Sequence, residues 1–322
     1  MRSILFAIRR LVVLALTIGC AGPIIAQVNA QLAGVNYEKI ALLKWYPATQ
    51  TGATFSVSYY PVAVAFDGAN MWVTGAQGVT KLRAADGANL GTFSAGASPA
   101  GIAFDGVYLW VANAAANTIF KLSAANGTHV GTYSVGKQPA GVAFDGSNLW
   151  VVNQLDNTVS KLRAADGANQ GAFKVGVLPV AVAFDGTNVW VTNSGDNTVS
   201  KLRAADGTNL GVFSVGGNPD GVAFDGSNIW VANQLDNSVT KLRASDGTNL
   251  GTFTVGHNPV GLAFDGSSIW VSNFLDNTVT RLRAADGQNQ GTLSVATNPN
   301  GVAFDGANIW VANYSAACVS KL

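Results

Sequence analysis

Two histidines, His129 and His257, one glutamate, Glu38, and seventeen aspartates are the groups from which this chain could build acid–base or metal chemistry. Acid–base catalysis needs at least a placed pair of such groups, and a metal site needs several ligands converging on one point. Sixteen of the aspartates sit in repeated turns: seven in Phe-Asp-Gly, five in Ala/Ser-Asp-Gly and four in Asp-Asn hairpins. Only Asp220 is left over. The histidines fall at different places in different repeats, and Glu38 lies outside the repeats. Seven Asp-Gly-x-Asn turns could offer oxygen to calcium, but calcium takes about 6–8 oxygen ligands and each turn has one carboxylate. Asx side chains bonding their own backbone account for the residue choice. The sequence therefore predicts no catalytic residue, no metal site and no cofactor.

The elements that hold these groups follow from the repeat itself. Phe-Asp-Gly recurs at Phe66, Phe104, Phe144, Phe184, Phe224, Phe264 and Phe304, first after 38 residues and then every 40. In the unit starting at Gly221, Val222 to Phe224 predicts one short strand and Ile229 to Ala232 a second, rich in β-branched and aromatic residues. Val239 to Leu242 and Thr252 to Val255 predict a third and a fourth, with Asx- and Gly-rich turns between them. No stretch carries an apolar i, i+3, i+4 pattern long enough for a crossover helix. Four strands per 40 residues is the spacing of propeller blades. The expectation is an all-β, seven-bladed β-propeller of four-stranded antiparallel blades.

Closure is legible at the ends. The last repeat offers three strands, at Val302 to Phe304, Ile309 to Val311 and Val319 to Leu322, without a fourth. Thr54 to Val57 resembles the missing one, so pairing of the N- and C-terminal strands should close the ring and remove its free edges. Ile40 to Trp45 also reads as a strand, which leaves open which terminus supplies the third strand of the closing blade. Seven tryptophans, each six residues after its Phe, are expected between neighbouring blades. The Lys161/Arg163, Lys201/Arg203 and Lys241/Arg243 pairs are expected to form a solvated, exposed rim, each with an Asp close behind.

Residues 1–26 differ from everything that follows. Arg2, Arg9 and Arg10 precede an apolar run, and Ala26 or Ala30 suits cleavage, which predicts a secretory signal peptide. From Leu11 to Ala26 the run has 16 residues and includes Gly and Pro, short of the about 20 that a spanning helix needs. The organisation expected is a signal peptide over 1–26, a linker over 27–39 and the propeller over 40–322. Secretion, the periplasm or the cell surface is the implied location, with lipidation at Cys20, in Thr-Ile-Gly-Cys, as the minor alternative. Losing the leader leaves only Cys318, so no intramolecular disulfide is expected. The mature chain carries 16 basic and 18 acidic residues. Nucleic-acid binding usually shows a basic footprint, and none is implied here. A monomer with no transmembrane segment after processing is expected.

Subtracting one repeat from the next shows where the units disagree. The loops between fourth and first strands vary, and so do the hairpins between second and third strands. In an up-and-down blade both emerge at the same end of the ring, and loops on a rigid scaffold are where function usually sits. The candidate binding residues on that face are Tyr60, Lys137, Asp220, His257, Asn300, Phe274 and Tyr314.

The unit Trp-Val-x-Asn, then Asp-Asn-Thr-Val, then Gly-x-x-Pro-x-Gly-Val-Ala-Phe-Asp-Gly resembles the YVTN family of β-propeller repeats. Val191-Thr192-Asn193 and Asp196-Asn197-Thr198-Val199 carry the likeness, with Trp190 in the place of its Tyr. The resemblance extends from about residue 40 to the end. It implies a secreted or surface-exposed propeller, generally a binding or surface module; with the variable loop face, the expectation is a binding or scaffold module that engages a protein or a cell-envelope glycan through that face. The alternative is a propeller enzyme, lyase or lactonase-like, with a non-standard site in the central funnel. Streptogramin lyases use a His/Glu cluster with a divalent metal, and lactonase-like propellers use acidic, Arg or His groups in the funnel. Neither set can be placed on this sequence.

Overall fold

A computed structural model describes residues 52–322. Seven antiparallel sheets of four strands each make up the ring, and the only helix among the described residues is a 3-10 turn at Tyr314–Ala316. In blade five the strands are Pro219–Phe224, Asn228–Asn233, Ser238–Arg243 and Asn249–Thr254. Alternation within each strand decides which blade a residue meets. Trp230 and Val239 face blade six and pack with its Ile269, Val271 and Leu282, while Ile229 and Val231 face the other way, onto Trp190 and Val199 of blade four. Six of the seven repeated tryptophans are fully buried, and Trp270 nearly so. Burying such a ring stabilises the fold by on the order of 4 kcal/mol.

Each tryptophan is held from two sides. Asp225 Oδ1 accepts the backbone N–H of Ser227 and Asn228, which closes the turn. Asp225 Oδ2 accepts the Trp230 indole N–H at 2.7 Å. The repeated Asp is therefore both a turn former and an anchor for the interblade ring. Across the sheet Trp230 pairs with Lys241, whose Nζ lies 4.9 Å from the ring centre. That ammonium continues into blade six and donates to the carbonyls of Ala284 at 2.7 Å and Ala285 at 3.1 Å.

This corrects the expected charged rim. Lys161, Lys201 and Lys241 are each 6% exposed and staple one blade to the next. Only the arginines sit outside, where Arg163, Arg203 and Arg243 pair with Asp166, Asp206 and Asp246. The difference lies along the strand: Lys stands opposite a Trp in mid-sheet, while Arg stands at the turn.

Two glycines are required by close approach. A Cβ on Gly287, at φ +77°, would collide with the Phe253 ring from blade five, which also stacks 5.6 Å from Trp230. On Gly261, in the innermost strand, a Cβ would meet the Asn300 carbonyl of the next blade. Backbone thus packs on backbone around the central channel.

The ring closes as expected, and the third strand of the closing blade comes from the C-terminal end. Ala53–Ser56 pairs with Cys318–Lys321, setting Ser56 opposite Cys318. The closing strand begins one residue earlier than Thr54, and Val57 still donates to the Ala317 carbonyl. Lys321 completes the circle by donating to Ala84 O of blade one at 2.7 Å. Ile40 to Trp45, the leader and the linker lie outside the described residues. Among the described residues no helix is long and apolar enough to cross a membrane.

Candidate functional site

The loop face is braced by repeated side chains. Each connection between blades places the residue before its Pro in the left-handed region, from Tyr60 at φ 55° to Asn298 at φ 56°. Asn237, in the hairpin of blade five, accepts the backbone N–H of Asn258 through its side-chain oxygen at 2.9 Å. From the other side Asp276, in the hairpin of blade six, accepts the backbone N–H of His257 at 2.7 Å. Asn197 with Asp236, and Asn157 with Asp196, hold two further connections the same way. The Asx residues of the hairpins therefore lock neighbouring loops together, beyond turning their own chain. A face so fixed can present side chains at low entropic cost.

Three of the seven candidate residues meet directly. Tyr60 and Tyr314 have ring centres 5.1 Å apart, and Phe274 lies 6.3 Å from Tyr314. His257 is exposed, and its Nδ1 lies 2.8 Å from Asp276 Oδ1; the N–H and imidazole of His257 hold the Asp276 carboxyl below its usual range, against slight burial. Asn300 is half-buried in an innermost strand, its carbonyl accepting from Ser272 Oγ of the preceding blade at 2.6 Å. Lys137 is exposed in the connection into blade three. It lines a shallow recess of about 370 Å³ with Ser98, Ala114, Asn117, Gln138 and Leu155.

Asp220 is not on an exposed loop. It is the second residue of the strand Pro219–Phe224 and is half-buried. Its Oδ2 accepts from Gln234 Nε2 at 2.5 Å, and Gln234 accepts in turn from Asn218 Nδ2. Some surface remains open, but the carboxyl lies in an innermost strand where the blades crowd together. Desolvation there pushes its pKa up to about 7, with the Gln234 bond acting weakly the other way.

No group of three His, Cys, Asp or Glu able to hold a metal occurs among the described residues. Lys137, Asp220 and His257 do not form a cluster: each has its own neighbours in a different blade.

Further apolar residues that sequence reasoning passed over lie exposed on the same face. Tyr59 is 61% exposed, Leu155 58%, Leu235 73% and Leu275 63%, with Val177 and Leu178 also exposed. The available signal is a Leu at the tip of a hairpin, in Leu-Asp-Asn, where turn chemistry alone favours a polar residue.

No protein-family model matches the sequence, and no curated protein matches it significantly. Solved structures do. The chain is similar to hydrazine synthase from Kuenenia stuttgartiensis, at 17% identity and a TM-score of 0.73, covering 82% of this chain and 95% of that one. It is similar to a catalytically inactive virginiamycin B lyase from Staphylococcus aureus with quinupristin, at 18% identity and a TM-score of 0.71, covering 84% and 97%. A streptogramin B lyase aligns at 19% identity and a TM-score of 0.72, covering 84% and 96%. At such identities the likeness shows the fold alone, a seven-bladed propeller.

Proposed function

We propose that this chain is a secreted or surface-associated binding module that engages a protein or an envelope glycan through its loop face. The observation that carries the reading is the set of exposed apolar side chains on the tips of braced loops: Tyr59, Tyr60, Leu155, Leu235 and Leu275. Exposed apolar surface rimmed by polar groups marks interaction sites, and the amides of Asn218, Gln138 and Gln154 supply such a rim. The opposite end differs, because its turns carry Arg–Asp ion pairs that satisfy one another. Membership of the YVTN repeats, processing after Ala26 or Ala30, and export fit the same reading. Immobilised mature chain should capture a partner from the native envelope, and Leu235→Ser with Leu275→Ser should weaken capture while Arg243→Ala does not. Equal loss from both ends would overturn the one-face reading.

A second reading has one group in its favour. Asp220 titrates near neutrality in the channel wall, as a general acid or base would. If the propeller is a lyase or lactonase-like enzyme, a broad ester and lactone screen should find turnover that Asp220→Asn abolishes. Turnover unchanged in that variant would remove Asp220 from the chemistry.

A further inference from the structure

Fourteen loops make up the face, seven connections and seven hairpins, and Phe, Tyr or Trp occurs in three of them. All three adjoin. Phe274 is in the hairpin of blade six, Tyr314 in that of blade seven, and Tyr60 in the connection from blade seven to blade one. Their rings form one row, with successive centres 6.3 and 5.1 Å apart and planes tilted by 51° and 37°. Tyr60 ends the row 54% exposed, and Tyr59 beside it is 61% exposed.

The residue choices run against the repeat. Tyr60 has φ 55°, in the left-handed region where a bulky side chain is unfavourable and Asn is tolerated. Asn218, Asn258 and Asn298 occupy the equivalent places in three other connections at φ 51–56°. Tyr314 stands where Gln154 and Gln234 stand elsewhere, as does Phe274. The hairpin behind Tyr314 has also lost its carboxylate, with Ala316 in the place of Asp236 and Asp276. Around Tyr60 and Tyr314, residues 58 to 63, 75 to 78, 295 to 300 and 313 to 317 carry no charged side chain, while the hairpin of Phe274 carries Asp276, paired with His257. Amides and a hydroxyl are among the polar side chains of these loops: Asn298, whose Nδ2 donates to Phe274 O at 3.0 Å, with Asn300 and Ser315 in the adjoining strand and hairpin and Gln77 in the hairpin of blade one.

We propose that Tyr60, Tyr314 and Phe274 form a stacking subsite for a neutral polysaccharide, deepening the loop-face reading on which it rests. A pyranose presents a face of C–H bonds to an aromatic ring and a rim of hydroxyls to amides. Three rings in succession, with centre spacings of 6.3 and 5.1 Å, suit successive sugars of one chain better than a single small ligand. The uncharged loops around Tyr60 and Tyr314 accord with an uncharged ligand, and the carboxylate beside Phe274, Asp276, is paired with His257, so binding should be insensitive to salt.

The test is affinity electrophoresis of the full mature chain in gels containing soluble β-glucan, mannan or xylan, each at low salt and at 0.5 M NaCl, about the range over which ionic contacts are screened. Tyr60→Asn and Tyr314→Gln install residues that other repeats carry at the same backbone positions, so the fold should survive, and circular dichroism melts check that it does. The expected result is retardation by at least one polysaccharide, unchanged by salt and weakened roughly tenfold or more by either variant, about 1.4 kcal/mol. Retardation by none of the three, or retardation that both variants keep, overturns the proposal. If Leu235→Ser abolishes capture of an envelope protein while Tyr60→Asn has no effect, the loop-face reading stands and the polysaccharide subsite falls.

Discussion

Lys201 Nζ stands 5.0 Å from the centre of the Trp190 ring and donates to the Ala244 carbonyl of the next blade at 2.8 Å. The indole is thus covered by a cation from its own sheet, and that cation is satisfied by a neighbouring one. Lys201→Met should leave the Ala244 carbonyl unpaired and cost about 2–3 kcal/mol, as lost hydrogen bonds to charged groups do. Arg203→Met, two residues on, should leave the urea midpoint nearly unchanged, because its ion pair with Asp206 is exposed. Equal effects of the two substitutions would contradict the staple.

Trp230→Ala should cost roughly 3–5 kcal/mol, the range for large-to-small aromatic changes in a core. The ring is fully buried, and its loss also strips a donor from Asp225 and a cover from Lys241. Urea denaturation of the purified variant measures this. A change under about 1 kcal/mol would place Trp230 outside the interblade core.

The closing register can be read covalently. Val57 donates to the Ala317 carbonyl, so the adjacent pair, Ser56 and Cys318, occupies the non-hydrogen-bonded site where side chains come closest. Ser56→Cys should oxidise to a disulfide with Cys318, detectable as faster migration on a non-reducing gel. It should also raise the melting temperature, since it closes a loop spanning the whole ring. Two free thiols persisting under mild oxidant would contradict the register.

Acid and base should act on different carboxyls. Burial raises the pKa of Asp145, but bonds from Trp150, Asn148 and Ser147 outweigh it and hold the group below its usual value. Its folded pKa is depressed, so its stabilisation is present above about pH 4 and is lost as pH falls through the folded value. Asp220 has the opposite sign. With a folded pKa of about 7, its contribution is full below the ordinary carboxylate pKa and is lost as pH rises through about 7. Thermal melts of Asp220→Asn should therefore decline less between pH 5 and 8 than those of the wild type. Parallel curves would contradict the raised pKa.

The fold was legible because seven in-phase copies repeat the same strand and turn signals, and the fourth strand that the last repeat lacks beyond its third, Val319 to Leu322, is supplied by the strand around Phe55. What alternation could not separate was Lys241 from Arg243. Two residues apart on one strand, they share a face, and only the cross-strand partner decides that one is buried over Trp230. Asp220 was misplaced because Pro219 reads as a loop, although Pro is tolerated as the first residue of a strand. On the site, aromatic departures such as Tyr314 stood out against Gln154 and Gln234. Leu235 did not, because it is itself repeated, at Leu155 and Leu275, and so vanishes when one unit is subtracted from another.

Amide hydrogen exchange of the mature chain, with and without the envelope fraction it captures, tests the loop-face account most directly. The account predicts added protection in the hairpins around Leu155, Leu235, Leu275 and Tyr314 and in the connections at Tyr60 and Asn258. The turns at Asp206 and Asp246, on the other end of the ring, should exchange as before. Protection confined to those Arg–Asp turns, or spread equally over both ends, would contradict it.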